Sequence, residues 1–211
     1  MTVFDHFDRI RIINLPQRID RRREMAAELE RLGLASDPKV TFFPAIRPTD
    51  AGRFTSIGAR GVYESQKEIL REAAQANQSV LILEDDCDFA VGAQSYALSG
   101  KWDIFYGGHN AAHPDDLENS DIMGAHMMGF SREGAKAVSD YLENLVYDGI
   151  HPPIDAAYVW FRRAYPGTPT HFAVPPLAGQ RASRSDIADL KWYDRLPAVR
   201  KIANFLRRVL R

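Results

Sequence analysis

Hydrophobic and polar positions along this chain fall into blocks whose period keeps changing. Val80-Leu81-Ile82-Leu83 is an unbroken aliphatic run, the pattern of a central strand covered on both faces. It stops abruptly at Glu84-Asp85-Asp86. Ile10 to Leu15 predicts an earlier strand ending at Pro16. A helix follows, with Asp20 as its cap, Met25, Leu29 and Leu32 on one face, and Gly33 as its stop. Val40 to Ile46 predicts a short strand, Gly58 to Asn77 a helix, and Trp102 to Tyr106 a strand broken by Gly107-Gly108. Met123 to Phe130 predicts another strand, feeding a helix capped by Ser131 with Glu133 in its first turn. Pro152-Pro153 opens a helix that Asp155 begins and Pro166 closes, and Thr170 to Val174 is a short strand before Pro175-Pro176. Strands alternating with helices predict an α/β domain with a mostly parallel central sheet flanked by helices.

At 211 residues the chain fits one domain with a sizeable core. Its 45% hydrophobic and 26% charged residues are those of an ordinary globular protein. The net charge of −1 provides no global field to recruit nucleic acid, which is not an expected partner. The single cysteine, Cys87, excludes an internal disulfide and fits a reducing compartment. No run approaches the ~18 apolar residues of a membrane span, and Met1 to Asp5 lacks the pattern of a signal peptide. The cytoplasm is the expected location.

Clustered acids at the carboxyl end of a central strand repel one another unless a cation visits them, and ligands of open α/β sheets bind at that end. A solvated acidic turn is the plain alternative. Hard carboxylate oxygens suit Mn2+ or Mg2+ bridging to phosphate. Spacing alone leaves open whether Glu84 or Asp88 joins Asp86. A basic segment, Asn14-Leu15-Pro16-Gln17-Arg18-Ile19-Asp20-Arg21-Arg22-Arg23, follows the first strand and opens a helix. Arginines there oppose the helix dipole, a cost an arriving diphosphate would reverse; a solvated basic turn is the alternative. Gly58 and Gly61 imply close approach of backbone to a ligand or to a neighbouring strand. For His109, His113, His126 and His171 a structural role is the simpler reading.

In order, the chain carries Asn14-Leu15 with Arg18, Asp20, Arg21 and Arg22, then Gly58, Gly61 and Ser65, then Leu81-Ile82-Leu83-Glu84-Asp85-Asp86. Trp102-Asp103-Ile104-Phe105, Gly124 to Phe130 with Ser131 to Ala135, Pro153-Ile154-Asp155, Pro176 with Gln180, and Ser185-Asp186-Ile187 follow. This succession, over residues 9 to 188, resembles family 25 glycosyltransferases of lipopolysaccharide and related glycan synthesis, which have collagen galactosyltransferase relatives. The resemblance implies a GT-A fold and a metal-dependent, inverting transfer of a hexose, usually galactose, from a UDP-sugar to a glycan acceptor. By position it implies that Asn14, Arg18, Asp20, Arg21, Ser65, Gln66, Glu84, Asp85 and Gln180 lie by the sugar nucleotide. Asp86 and Glu84 would hold the metal, with His171 as a third ligand, and Asp155 would be the general base. The family usually has Ser-His where this chain has Ser65-Gln66, and glutamine neither takes nor gives a proton.

From Arg195 the chain carries Arg200, Lys201, Arg207, Arg208 and Arg211 without an acid, and Leu196, Val199, Ile202, Leu206 and Val209 fall on a helical stripe. The division expected is a transferase domain over 1–194 and a basic amphipathic helix over 195–211. That helix could meet an anionic inner-membrane surface carrying a lipid-linked acceptor, or dock its stripe on the domain. Two other functions fit parts of the pattern: a phosphoryl- or nucleotidyl-transfer enzyme, and a non-catalytic sugar-nucleotide or glycan-binding relative.

Overall fold

The structure is a computed structural model and describes residues 2–181. The expectations for Ser185-Asp186-Ile187 and for the basic stripe from Arg195 lie outside the described residues. A six-stranded sheet forms the centre, in the order β2-β1-β3-β6-β5-β7. Its strands are β1 (Arg9–Asn14), β2 (Val40–Pro44), β3 (Val80–Glu84), β5 (Ile104–Ala111), β6 (Ile122–Phe130) and β7 (Thr170–Phe172). A two-stranded sheet pairs β4 (Cys87–Phe89) with β8 (Ala178–Gln180). The helices are α1 (Ile19–Arg31), α2 (Ile57–Gln75), α3 (Arg132–Glu143) and α4 (Ile154–Ala164).

β3 is a central strand, as its sequence requires, and alternate residues serve opposite faces. Val80 and Ile82 join the core under α2, α3 and α4. Leu81 and Leu83 join a second core with Met25 and Leu29 of α1 and with Cys87, Phe89 and Ala178 of the small sheet. All four are fully buried, which is why no polar residue interrupts the run.

The sheet is mostly parallel: β2, β1 and β3 pair in parallel, as do β5 and β7, while β6 runs antiparallel to both β3 and β5. The reversal has a simple cause. The segment 112–121 between β5 and β6 contains no helix, and a connection without a crossover returns the chain antiparallel. β5 also continues through Gly107-Gly108 rather than breaking there, with register shifts beside both glycines. A Cβ on Gly107 would lie 2.7 Å from the Met127 side chain, so the glycines admit the neighbouring strand's packing.

α1 begins at Ile19, with Arg18 at the cap position and no side-chain cap bond, so Asp20 lies inside the first turn rather than capping it. Gly33 stops the helix with φ of +73°. Ser56 caps α2 by accepting from the Ala59 N–H, and Ser131 caps α3 by accepting from Gly134. The short pair β4 and β8 carries no pattern long enough to announce it in the sequence.

Candidate functional site

A cavity of about 300 Å³ opens where the carboxyl ends of β1, β2 and β3 lie side by side. Its wall is aliphatic on the β2 and α2 side (Ala45, Ile46, Ile57, Val62) and its floor carries Arg21, Glu84, Asp85 and Asp86. α2 closes against the chain beyond β2 because Gly61 has no side chain: a Cβ there would stand 2.7 Å from the Ile46 carbonyl oxygen. The buried Ser65 hydroxyl secures this junction, accepting from the Ile46 N–H (2.9 Å) and donating to the Gly61 carbonyl (2.7 Å). The close approach foreseen at these glycines is therefore to backbone, at least at Gly61.

The three acids divide by environment. Asp85 is buried and accepts from Arg21 Nη1 (2.8 Å) and from Asn14 Nδ2 (2.7 Å). Asp86 meets Arg21 Nη2 at 3.3 Å through one oxygen, while its other oxygen, Oδ1, is buried with no hydrogen-bond partner. Glu84 accepts from Gln180 Nε2 at 3.0 Å. Burial first, then the charge of Asp86, pushes the Glu84 carboxyl up to about 8. Burial likewise raises Asp86, to about 6, against the opposing pull of Arg21. The two carboxyls are thus costly to ionise together, a cost that an arriving positive charge would relieve. Burial and the flanking Asp86 also raise the Cys87 thiol well above its usual range.

This donor set fits a divalent cation of the Mg2+ or Mn2+ type. Glu84 and Asp86 both line the cavity, and the Oδ1 of Asp86 is a buried hard oxygen without a hydrogen-bond partner. Such cations commonly take one or two carboxylates and complete their shell with water and substrate phosphates. Among the described residues no group of three or more His, Cys, Asp or Glu side chains is arranged to hold a metal. Asp88, buried in β4, does not line the cavity, whereas Glu84 and Asp86 both do.

His171 is not brought to the acids, a correction to its expected ligand role. It lies on β7, three strands from β3, and its Nε2 is 2.8 Å from the Tyr96 hydroxyl. Gln66 is also elsewhere: fully buried, it accepts from the Tyr158 hydroxyl (2.8 Å) and donates to the Ala125 carbonyl (3.4 Å), outside the cavity lining. Arg18 makes a two-pronged bond to Asp20 (3.0 and 2.9 Å), which holds the Asp20 carboxyl low, at about 2. Neither lines the cavity, and Asn14 supports it from behind through Asp85. Asp155 sits in the first turn of α4, accepting from the Gly124 N–H (3.0 Å) and the Ala156 N–H (2.9 Å). Gly124 opens β6 at the same edge of the sheet as the acids, yet Asp155 is not part of the cavity lining.

Sequence reasoning missed Arg47 and Arg181, and singled out Gln17 only as part of the basic segment. Arg47 and Gln17 line the cavity from the loops after β2 and β1. Arg181 ties the acid turn down, its N–H donating to the Asp86 carbonyl (2.7 Å) and its guanidinium to Glu24 (2.9 Å) and the Cys87 carbonyl (3.0 Å). Position after a strand of this sheet was the one available signal for Arg47.

No protein-family model matches the chain, and no curated protein matches it in sequence. The crystal structure of a glycosyltransferase involved in glycosylation of the major capsid of PBCV-1 is similar in fold, with a TM-score of 0.50. The identity is 12%, over 83% of this chain and 94% of that one. A Bacillus anthracis structure assigned as a glucose-1-phosphate thymidylyltransferase, in complex with a sucrose, aligns over 94% of this chain and 75% of that one. Its TM-score is 0.46 and its identity 12%, and the fold assignment does not depend on it. The described residues form a single α/β domain with a GT-A-like, glycosyltransferase-like fold.

Proposed function

We propose that the protein is a sugar-nucleotide-dependent glycosyltransferase whose donor occupies the cavity at the ends of β1, β2 and β3. The observation that carries this reading is the pairing of an aliphatic slot with the clustered carboxyls Glu84 and Asp86, both raised by burial, at the carboxyl edge of a GT-A-like sheet. The slot suits the flat, weakly polar face of a nucleobase, and the acids suit a cation-bridged diphosphate. The family 25 resemblance adds the finer terms: UDP-galactose or another UDP-hexose as donor, Mn2+ or Mg2+, and inversion at the anomeric carbon.

When bound, the cation would supply charge neutralisation for the departing diphosphate. Glu84 and Asp86 would hold it, and Arg21 keeps the Asp85–Asp86 turn in place. Asp155 takes the proton of the acceptor hydroxyl: each of its oxygens accepts one backbone N–H and retains a further lone pair. The acceptor is a glycan, such as a cell-surface or lipid-linked saccharide.

Thermal denaturation with UDP and a panel of UDP-sugars, each with Mn2+, Mg2+ or EDTA, tests the reading. A ligand at 100 times its dissociation constant adds about 2.7 kcal/mol of stability. The expected result is a rise in Tm that needs nucleotide and cation together and differs among sugars. No rise in any combination removes the donor site. Hydrolysis of nucleotide without sugar dependence would favour phosphoryl transfer, and UDP binding without turnover across many acceptors would favour a binding protein.

A further inference from the structure

Two of the charged side chains lining the cavity are cations, Arg21 and Arg47, and three are carboxylates, Glu84, Asp85 and Asp86. Arg21 is buried and engaged by Asp85 and Asp86. Arg18, the other arginine the sequence singles out, is engaged by Asp20 and stands outside the lining. Arg47 is different. It is exposed at the cavity mouth and has no ion pair or hydrogen bond with any described residue.

Its backbone is nevertheless held. The Ala45 N–H donates to the Asn14 carbonyl (2.9 Å), and the Ile46 N–H to Ser65 Oγ (2.9 Å). On the other side Pro48 packs over Gly61. A fixed backbone therefore presents an uncommitted guanidinium to the opening. With β1 between them, the ends of β2 and β3 lie roughly 10 Å apart. An extended arginine side chain is long enough to cross most of such a gap.

We propose that Arg47 is the residue that pairs with the negatively charged phosphates of the donor nucleotide. The inference rests on the donor reading above. A diphosphate entering this cavity meets an acidic floor, and Arg21 is already spent on that floor. Arg47 supplies the compensating charge, with a planar fork suited to two phosphate oxygens. It sets the ligand class as a nucleoside diphosphate rather than a neutral nucleoside, and it allows part of the affinity to survive without a cation.

Calorimetric titration of the full chain with uridine, UMP and UDP tests this, in EDTA and in Mn2+, with CDP, GDP and ADP run in parallel. Wild type, Arg47→Ala and Arg47→Lys are compared. Because Arg47 is exposed, both variants should keep the wild-type Tm without ligand. The expected result is a loss of diphosphate affinity of about tenfold to a hundredfold in Arg47→Ala. The loss should be larger in EDTA, small for uridine, and partly restored by Arg47→Lys. Unchanged diphosphate affinity in Arg47→Ala, or an equal loss for uridine, overturns the proposal while leaving the donor site standing. If wild type binds none of these nucleotides, the donor reading fails and takes this inference with it.

Discussion

Asp85 and Asp155 are both aspartates at the carboxyl edge of the sheet, and removing their charge is predicted to fail in different ways. Asp85 neutralises a buried guanidinium at 2.8 Å. Asp85→Asn breaks the Arg21–Asp85 ion pair, and stability should fall by about 3 kcal/mol, the scale for breaking a buried ion pair. Asp155→Asn removes half of a shallow backbone clamp and should cost ~1 kcal/mol, the scale of a lost helix cap. If Asp155 is the base, turnover falls by about 10²–10⁴. Urea denaturation and a coupled transferase assay measure both quantities. An Asp155→Asn protein that turns over normally would sink the base assignment, and an Asp85→Asn protein as stable as wild type would sink the ion-pair account. The acid cluster was legible at this scale because adjacency along the chain reveals charge. Which acid is structural was not, since Arg21 and Asp85 are 64 positions apart and meet only across the sheet edge.

Among the elements, the junction between α2 and the chain beyond β2 decides whether the cavity exists. Gly61→Ala should help an isolated helix by up to about 1 kcal/mol. Here the added carbon would sit 2.7 Å from the backbone oxygen of Ile46, whose N–H Ser65 already holds in place. Overpacking of that kind costs about 1–3 kcal/mol, so a net loss of stability is expected. Nucleotide affinity should fall as well, because Ile46 and Arg47 move with the displaced segment. Calorimetric titration alongside thermal denaturation checks this; a more stable Gly61→Ala protein with full affinity would refute the tight junction. Most elements were readable from period and caps. Those that were not, β4 and β8, are three residues each, too short for a period, and exist through pairing with each other. The antiparallel setting of β6 depended on the lack of a crossover helix, visible only once its partners were known.

For the whole molecule, the raised carboxyls make stability depend on pH. Folding lifts Glu84 from an ordinary 4.5 to about 8 and Asp86 from 3.8 to about 6. Between those limits the folded protein binds more protons than the unfolded chain, so stability falls as pH rises. Melting in EDTA from pH 5 to 8.5 should show a declining Tm, with a shallower slope in Glu84→Gln. A flat profile shared by both proteins would refute the raised pair. Residues beyond the described domain supply a second prediction at this scale. Deleting the chain after Pro197 removes the basic stripe and should abolish binding to anionic vesicles in a flotation assay, while neutral vesicles bind neither form. Unchanged binding by the truncated chain would exclude the stripe as an anchor.

Hydrophobic period, caps and breakers are local quantities, and by themselves they determined the α/β class, the central place of β3 and the acid tip that marks the cavity floor. Tertiary structure decided the rest. It withdrew His171 to an edge strand, buried Gln66 against Tyr158, committed Arg18 and Arg21 to carboxylates, and left Arg47 uncommitted at the mouth. The physical reason is that an ion pair or hydrogen bond depends on distance in space, and which long side chain finds a partner is settled only when distant strand ends are set side by side.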